Sequence, residues 1–276
     1  MSDEIQRFKK YLQANGHPAN TIKKYINNVI KFSEEYNLDS VSEDDIQDFL
    51  ISLQSKFERT TVNNYRASIK CYLIDFKRMN IRIPKSLKTE DKIIDFIDED
   101  YFVNKVLFEV DFNSSNSLKI KTLLCLMYDT GIRPGEIPLL KRNYFDLKNT
   151  LVFIRGTKTY SQRKAPFTDS TKDLLDMYFS LEDEIINAFN IQLSGINGIF
   201  QRLKPKFSDI NFRPDLLRHS SATNMLDQGM PVHEVAKILG HKSIETTLKY
   251  YAQVKQESIF KHYKERINQR RWDSYI

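Results

Sequence analysis

Cysteine is scarce in this chain of 276 residues, which contains only Cys71 and Cys125. Two cysteines are too few for a disulfide framework or a zinc ribbon, and they favour a reducing, intracellular setting. Long apolar runs are also missing, since the longest extends from Leu123 to Tyr128 and is too short to cross a membrane. The first residues lack the basic and then apolar character of a secretory signal. We therefore expect a soluble, cytoplasmic protein.

Motifs for metals and nucleotide cofactors are absent as well. The sequence has no Walker-type loop, no dinucleotide-binding fingerprint, no His-Glu-x-x-His pair and no zinc-ligand spacing. None of its five histidines is paired with a cysteine at the spacing that metal ligands show. We expect neither a metal nor a cofactor.

Basic residues are in excess, and their distribution is uneven. The net charge is +6, but residues 56–88 hold nine basic and two acidic side chains, and residues 141–164 hold seven and one. Between them, residues 90–111 hold eight acidic and two basic side chains. A single charged run is most often a solvated helix face. Two basic segments separated by an acidic one favour two domains with basic faces, whose binding to a polyanion should weaken steeply with salt.

The first part of the chain has the apolar periodicity of helices, and we predict four of them with short links. The segment Ser42-Glu43-Asp44-Asp45 is a capping-box start for the third. The fourth begins near Thr60-Thr61 and carries basic residues on its more polar side, namely Arg66, Lys70 and Lys77. Residues 81–88 are interrupted by a proline and should be extended. We assign a helical domain to residues 1–82, a linker to 83–92 and a second domain to 93–276.

The second domain combines helices with one small sheet. Helical patterns cover residues 93–110 and 117–128, and helices return from residue 170 onward. Residues 149–155 have the β-branched and aromatic content of a strand, and residues 163–167 form a short return strand after a turn. The predicted fold class is mainly α, with a small antiparallel β-sheet in the second domain.

Three segments place arginine, lysine, histidine and tyrosine in turns marked by glycine. They are Thr130 to Ile137, Gly156 to Thr159, and the stretch Asp215 to Thr223 together with Leu239 to Tyr251. In order and spacing they resemble the signature of the tyrosine recombinases, the phage integrase family. That signature has an arginine in a Thr-Gly-x-Arg-x-x-Glu turn, a lysine on a β-hairpin, a His-x-x-Arg pair and a Leu-Gly-His turn. A nucleophilic tyrosine follows nine residues after that last histidine.

The resemblance covers essentially the whole chain and implies a fold and a set of roles. Residues 5–80 are similar to the family's helical, SAM-like core-binding domain, and the rest to its catalytic domain. Arg133 and Arg218 would hold the scissile phosphate with His241 as a further donor, and Lys158 would be the general acid. Tyr250 would be the nucleophile, because it stands nine residues after His241, whereas the adjacent Tyr251 does not. Glu136, one turn from Arg133, would support that arginine.

The resemblance implies a site-specific DNA recombinase that cleaves and rejoins strands through a 3′-phosphotyrosyl intermediate, in integration and excision or in chromosome dimer resolution. This reaction explains why these residue types are needed. Cutting a phosphodiester without a metal requires a nucleophile and positive charge on the non-bridging oxygens of the transition state. Arginine suits that task because its planar fork binds two phosphate oxygens and stays charged. The implied partner is double-stranded DNA with specific target sites, on which the protein would assemble as a homodimer and homotetramer. Four basic residues are candidates for DNA contacts: Arg66, Lys70, Lys77 and Lys164, the last of which also competes with Lys158 for the hairpin role.

Asp215 departs from the family pattern, which places a histidine at this position. Its carboxylate could accept the tyrosine proton or orient Arg218 or His241, but an ionised carboxylate beside the scissile phosphate is repulsive. Two alternatives to a recombinase therefore stay open: a type IB-like topoisomerase, and a catalytically weakened DNA-binding protein on the same fold. The basic and apolar tail from Ser258 to Arg271 could dock on a neighbouring subunit, pack on its own domain or contact DNA.

Overall fold

The computed structural model describes residues 2–89, 95–110, 115–156, 162–181 and 186–248. The chain divides into two compact units, Met1–Lys92 and Ile93–Ile276. Each unit has its own apolar core. None of the helices in the described ranges is both long and apolar enough to span a membrane.

The first unit consists of four helices packed around one core. Their bounds are α1 (Ser2–Ala14), α2 (Ala19–Ser33), α3 (Glu43–Gln54) and α4 (Arg59–Lys70), the last continuing as a π-helical turn, Cys71–Phe76. Each helix contributes one apolar face, and the fully buried side chains include Phe8, Phe32, Phe49, Ile69 and Tyr72. The predicted four-helix unit is confirmed.

The start of α3 shows how the sequence sets a helix end. The Ser42 hydroxyl accepts a hydrogen bond from the Asp45 backbone N–H at 3.1 Å, and the Asp45 carboxylate accepts one from the Ser42 N–H at 2.8 Å. Two backbone donors that the helix cannot satisfy itself are thereby paired. The predicted capping box is confirmed.

Residues 81–89 belong to no helix or strand, and several of them lie along α4. The Asn63 side chain donates to the Leu87 carbonyl at 2.9 Å and accepts from the Leu87 N–H at 2.8 Å. Arg59 donates to the Lys88 carbonyl at 3.1 Å, and Arg66 to the Pro84 carbonyl at 3.4 Å. This part of the predicted linker is therefore held by tertiary hydrogen bonds, while the domain boundary itself stays a prediction.

The second unit is mostly helical. Its helices are α5 (Glu99–Tyr101, continuing as a π-helix Phe102–Leu107), α6 (Ser115–Thr130), α7 (Asp169–Leu181), α8 (Leu193–Leu203), α9 (Pro214–Asp227) and α10 (Val232–Leu239). Short 3-10 turns occur at Pro134–Leu139, Arg142–Tyr144 and Lys204–Lys206. Helix α6 packs against α7 and α9 at the centre of the unit, where its side chains from Leu123 to Met127 are buried.

One three-stranded antiparallel sheet accompanies these helices, in the order β1 (Phe145–Asp146), β2 (Leu151–Arg155), β3 (Gln162–Pro166). The β2–β3 hairpin pairs Ile154 with Arg163 and Phe153 with Lys164. Because side chains alternate along a strand, Arg163 points into the unit and Lys164 points to solvent. The two predicted strands are present with ends shifted by one or two residues, and β1 adds a short strand that local sequence did not indicate.

Candidate active site

Two helix ends meet in the second unit and form the frame of the site. Helix α6 is followed by Gly131 at φ +56°, and α10 is followed by Gly240 at φ +63°, both in the left-handed region that favours glycine. A β-carbon on Gly131 would overlap the Leu239 side chain, so the two turns are in direct contact. Helix C-termini carry unsatisfied carbonyls and a partial negative charge, which attract cations.

Arg218, on α9, lies between these two helix ends and is buried. Its guanidinium donates to the Gly131 carbonyl, and also to the Leu239 carbonyl at 2.8 Å. Only 6% of the residue is exposed. The arginine thus satisfies carbonyls of both turns and places a positive charge beneath them.

Arg133 begins the 3-10 turn after Gly131 and is more open to solvent. Its guanidinium donates to Glu136 at 3.2 Å and to the Gly240 carbonyl at 3.2 Å. Its backbone N–H donates to the same glutamate at 2.9 Å. With 39% of the side chain exposed, Arg133 is held in place and can still reach a ligand.

Glu136 is almost completely buried and holds two arginines. Arg163 donates to both of its carboxylate oxygens, at 2.9 and 2.7 Å, in addition to the contacts from Arg133. Burial alone would raise the pKa of Glu136, but the hydrogen bonds and charge of Arg163 outweigh it, so the pKa lies below the ordinary value. The glutamate is therefore ionised, and its role as support for Arg133 has the geometry that the sequence suggested.

His241 follows Gly240 and lies beside the arginines. Its Nδ1 is 2.7 Å from the hydroxyl of Thr247, a residue that is itself buried. Burial, followed by the charges of Arg218, Arg133 and Arg163, lowers the pKa of His241 to about 4. The ring is therefore neutral near pH 7, and when Thr247 donates to Nδ1 the ring proton sits on Nε2 as a hydrogen-bond donor.

Asp215 lies in the first turn of α9 and is exposed to solvent. A carboxylate is favourable there because it faces the positive end of the helix dipole. The pKa of the nearby His219 is lowered, first by burial and then by Arg213, while the charge of Asp215 opposes this effect. The position of Asp215 at the start of α9 is thus enough to explain an acidic residue there. Its catalytic assignment stays a prediction.

The remaining predicted residues divide into those the structure describes and those it does not. Lys158, Tyr250, Tyr251 and the tail from Ser258 lie outside the described residues. Lys164 is exposed and borders a groove of about 440 Å³ that His241 and Lys242 also line. Its position next to the site suits a DNA contact, which stays a prediction.

Three candidate DNA contacts belong to the first unit and differ in their surroundings. Lys70 is exposed, and Arg66 is half-buried beside Pro84. Lys77 contacts Asp39 at 2.5 Å and Glu4 at 2.6 Å, and these two carboxylates raise the pKa of the lysine. Its charge is balanced within the unit, and this pairing was not visible in the helical spacing that nominated Lys77.

Arg163 is the residue of the site that sequence reasoning did not single out. The available signal was its strand position, since alternation with the exposed Lys164 places residue 163 on the inner face. An arginine is almost never fully buried without a partner. A buried acid elsewhere in the unit was therefore to be expected, and Glu136 is that acid.

Comparisons with known proteins give family matches in both units. A model of the phage integrase family matches residues 102–258, and a model of the N-terminal SAM-like domain of phage integrases matches residues 5–81. The tyrosine recombinase XerA of Saccharolobus solfataricus is 32% identical over 246 residues, which cover 83% of this chain and 81% of that protein. A tyrosine recombinase of Thermosipho africanus is 26% identical over 278 residues, covering 93% and 97%.

Among solved structures, a lambda integrase dimer (residues 75–356) bound to a COC′ core site has a similar fold. It superposes with a TM-score of 0.73 at 16% identity, covering 91% of this chain and 95% of that one. At this identity the likeness concerns the fold alone.

Proposed function

Because this chain belongs to the phage integrase family, we propose that it is a site-specific DNA recombinase that cuts and rejoins strands through a 3′-phosphotyrosyl link. The observation that carries the proposal is the convergence of Arg133, Arg218 and His241 on the paired turns at Gly131 and Gly240. Three side chains far apart in sequence are held within one buried framework, with Arg133 open to a ligand.

The charges of this framework suit a phosphodiester. Arg133 and Arg163 share the carboxylate of Glu136, and Arg218 is held by the Gly131 and Leu239 carbonyls, so among these described groups positive charge is in excess beside a neutral histidine. Arginines held by carbonyls and a carboxylate before the substrate arrives need little rearrangement to stabilise charge that develops on phosphate oxygens. His241 would add a neutral donor from Nε2.

The covalent steps are assigned to Tyr250 and Lys158, which lie outside the described ranges. The Tyr250 oxygen would attack the phosphorus and give up its proton, for which Asp215 is the candidate acceptor. The bond from phosphorus to the 5′-oxygen of the next nucleotide would break, and that oxygen would take a proton from Lys158. The phosphotyrosine conserves the energy of the broken ester. A 5′-hydroxyl from the partner strand would then attack the phosphorus and return a proton to Lys158, while Tyr250 leaves, regains its proton and the backbone is restored. No step of this scheme calls for ATP.

The partner in this proposal is double-stranded DNA carrying specific sites, and the proposed location is the cytoplasm. The related lambda integrase has been crystallised as a dimer on a core site. By analogy, this chain would bind each site as a dimer and join two sites within a homotetramer. The exposed Lys70 and Lys164 are our candidates for phosphate contacts.

Covalent trapping tests the proposal. Genomic DNA fragments retained by the protein would be sequenced to find the target, and a nicked version of that site would be incubated with wild-type protein in EDTA. We expect a protein–DNA adduct that survives denaturation. Cleavage next to the nick frees a short strand that carries the 5′-hydroxyl, and this strand diffuses away before it can religate. Joining of two intact sites then separates a recombinase from a topoisomerase. No adduct on any enriched site would overturn the enzymatic proposal.

A histidine at position 215 should be tolerated by the chemistry. We expect Asp215→His to form the adduct at a rate between that of wild type and about tenfold above it, since it removes a negative charge and supplies a proton-exchanging group. Single-turnover cleavage of the nicked site measures the rate. Asp215→Asn is the matched control, because it removes the charge without adding an imidazole. A large loss of cleavage in both variants would show that the carboxylate has a specific role.

A further inference from the structure

Arg163 and Glu136 form a buried pair next to the proposed catalytic arginine. The side chains of Arg163 and Glu136 are 5% and 1% exposed, and two parallel hydrogen bonds join them. The carboxylate oxygen that receives Arg133 at 3.2 Å also receives Arg163 at 2.9 Å. Arg133 and Arg163 therefore share one counter-charge, and Arg163 holds it by the shorter bonds.

This sharing determines how much positive charge Arg133 can offer. When a guanidinium is paired with a carboxylate of its own, the negative charge offsets much of the electrostatic attraction that the guanidinium exerts on a nearby phosphate. Because Arg163 neutralises Glu136, the glutamate can orient Arg133 through its backbone N–H and one side-chain bond without cancelling its charge. Without Arg163, the buried carboxylate would have Arg133 as its main cation, since an unpaired buried charge is costly.

Arg163 also touches the turn that carries His241. A β-carbon on Gly240 would lie 2.9 Å from the Arg163 Cδ, so the arginine stem packs directly beneath the glycine. Strand β3, which contains Arg163, pairs with β2 and packs against α10. One side chain thus joins the hairpin, the Arg133 turn and the His241 turn.

We propose that Arg163 is a positioning residue of the recombination site, which neutralises Glu136 so that Arg133 stays available to the scissile phosphate and which fixes the Gly240–His241 turn against the hairpin. The inference rests on the proposed function for its role in DNA cleavage. The charge sharing itself is a property of the free protein and can be measured without DNA.

Cleavage of the nicked target site by a set of variants tests the role in the reaction. We expect Arg163→Met to lower the single-turnover rate of adduct formation by about 10- to 100-fold with a smaller change in DNA affinity. Arg163→Lys, which keeps the charge and loses the fork, should be intermediate. The double variant Arg163→Met/Glu136→Gln should recover much of the loss, because it removes the unbalanced carboxylate.

The double variant separates charge balance from packing. If Arg163 only fills space, Arg163→Met/Glu136→Gln will be no faster than Arg163→Met, and that result would overturn the proposal. Arg202→Met is the matched control, since it removes one arginine from the exposed side of α8. Thermal unfolding identifies variants that fail to fold. If Arg163→Met does so, the comparison of Arg163→Lys with the double variant decides the question.

The titration of His241 provides a reading that does not depend on cleavage. Burial has the largest effect on the pKa of this ring, and the charges of Arg218, Arg133, Arg163 and His219, all within the described residues, lower it further. Followed by NMR in the free protein, the His241 midpoint should rise in Arg163→Met, because one cation is lost and Glu136 is no longer neutralised. The midpoint should rise less in the double variant. An unchanged midpoint in Arg163→Met would contradict the charge sharing even if wild-type protein formed no adduct.

Discussion

Tyr250→Phe is expected to bind the target site and form no covalent complex with it. The substitution removes only the phenolic oxygen, so the aromatic ring and the DNA-binding surfaces are retained. Because no other group replaces a lost nucleophile, adduct formation should fall by about 10⁴-fold or more, which is below detection on a gel. The measurement is single-turnover trapping on the nicked site, with DNA binding followed in parallel by mobility shift.

Tyr251→Phe is the matched control for this experiment. The two tyrosines are adjacent, and only Tyr250 stands nine residues after His241. Tyr251→Phe should therefore keep an adduct rate within a few-fold of wild type. If Tyr251→Phe abolishes the adduct and Tyr250→Phe does not, the spacing argument is wrong and the nucleophile is Tyr251. Mass spectrometry of the trapped peptide identifies the modified residue directly.

The parts of the site that sequence predicted are those with a local signature. Gly131 and Gly240 mark turns at helix ends, and the structure places both in the left-handed region that such turns require. The motif residues Arg133, Arg218 and His241 then come together because the two turns pack on each other. The predicted fold class is confirmed for the same reason, since helical periodicity and strand content are local properties.

The parts that sequence did not predict depend on contacts between distant residues. Strand alternation places Arg163 on the inner face, but its partner Glu136 lies 27 residues earlier in the chain. Lys77 was nominated for DNA by its helical face, but the structure brings it to Glu4, 73 positions away. Residues 84–88 are held along α4 by the Asn63 amide, which pairs reciprocally with Leu87. None of these pairings has a sequence pattern, because hydrogen bonds and ion pairs of this kind are set by tertiary packing.

Arg218→Met is expected to lower both the free energy of unfolding and the rate of adduct formation. The variant leaves the Gly131 and Leu239 carbonyls, at the C-terminal ends of α6 and α10, without their buried donor. Two such unsatisfied groups destabilise the unit by about 2–4 kcal/mol. The phosphate also loses a preorganised cation, which should slow adduct formation by about 10²–10³-fold beyond any loss of folded protein. Urea unfolding gives the first quantity, and single-turnover trapping at a temperature where the variant is folded gives the second.

Arg218→Lys distinguishes the two contributions. A lysine keeps the positive charge but cannot span both carbonyls with a planar fork, so it should recover part of the rate and little of the stability. The exposed Arg202→Met controls for the change in net charge, and we expect it to behave as wild type in both assays. A fully stable Arg218→Met variant would show that other donors satisfy the two carbonyls. Cleavage at the wild-type rate in that variant would remove Arg218 from the phosphate-binding set and leave Arg133 and His241 to hold the scissile phosphate.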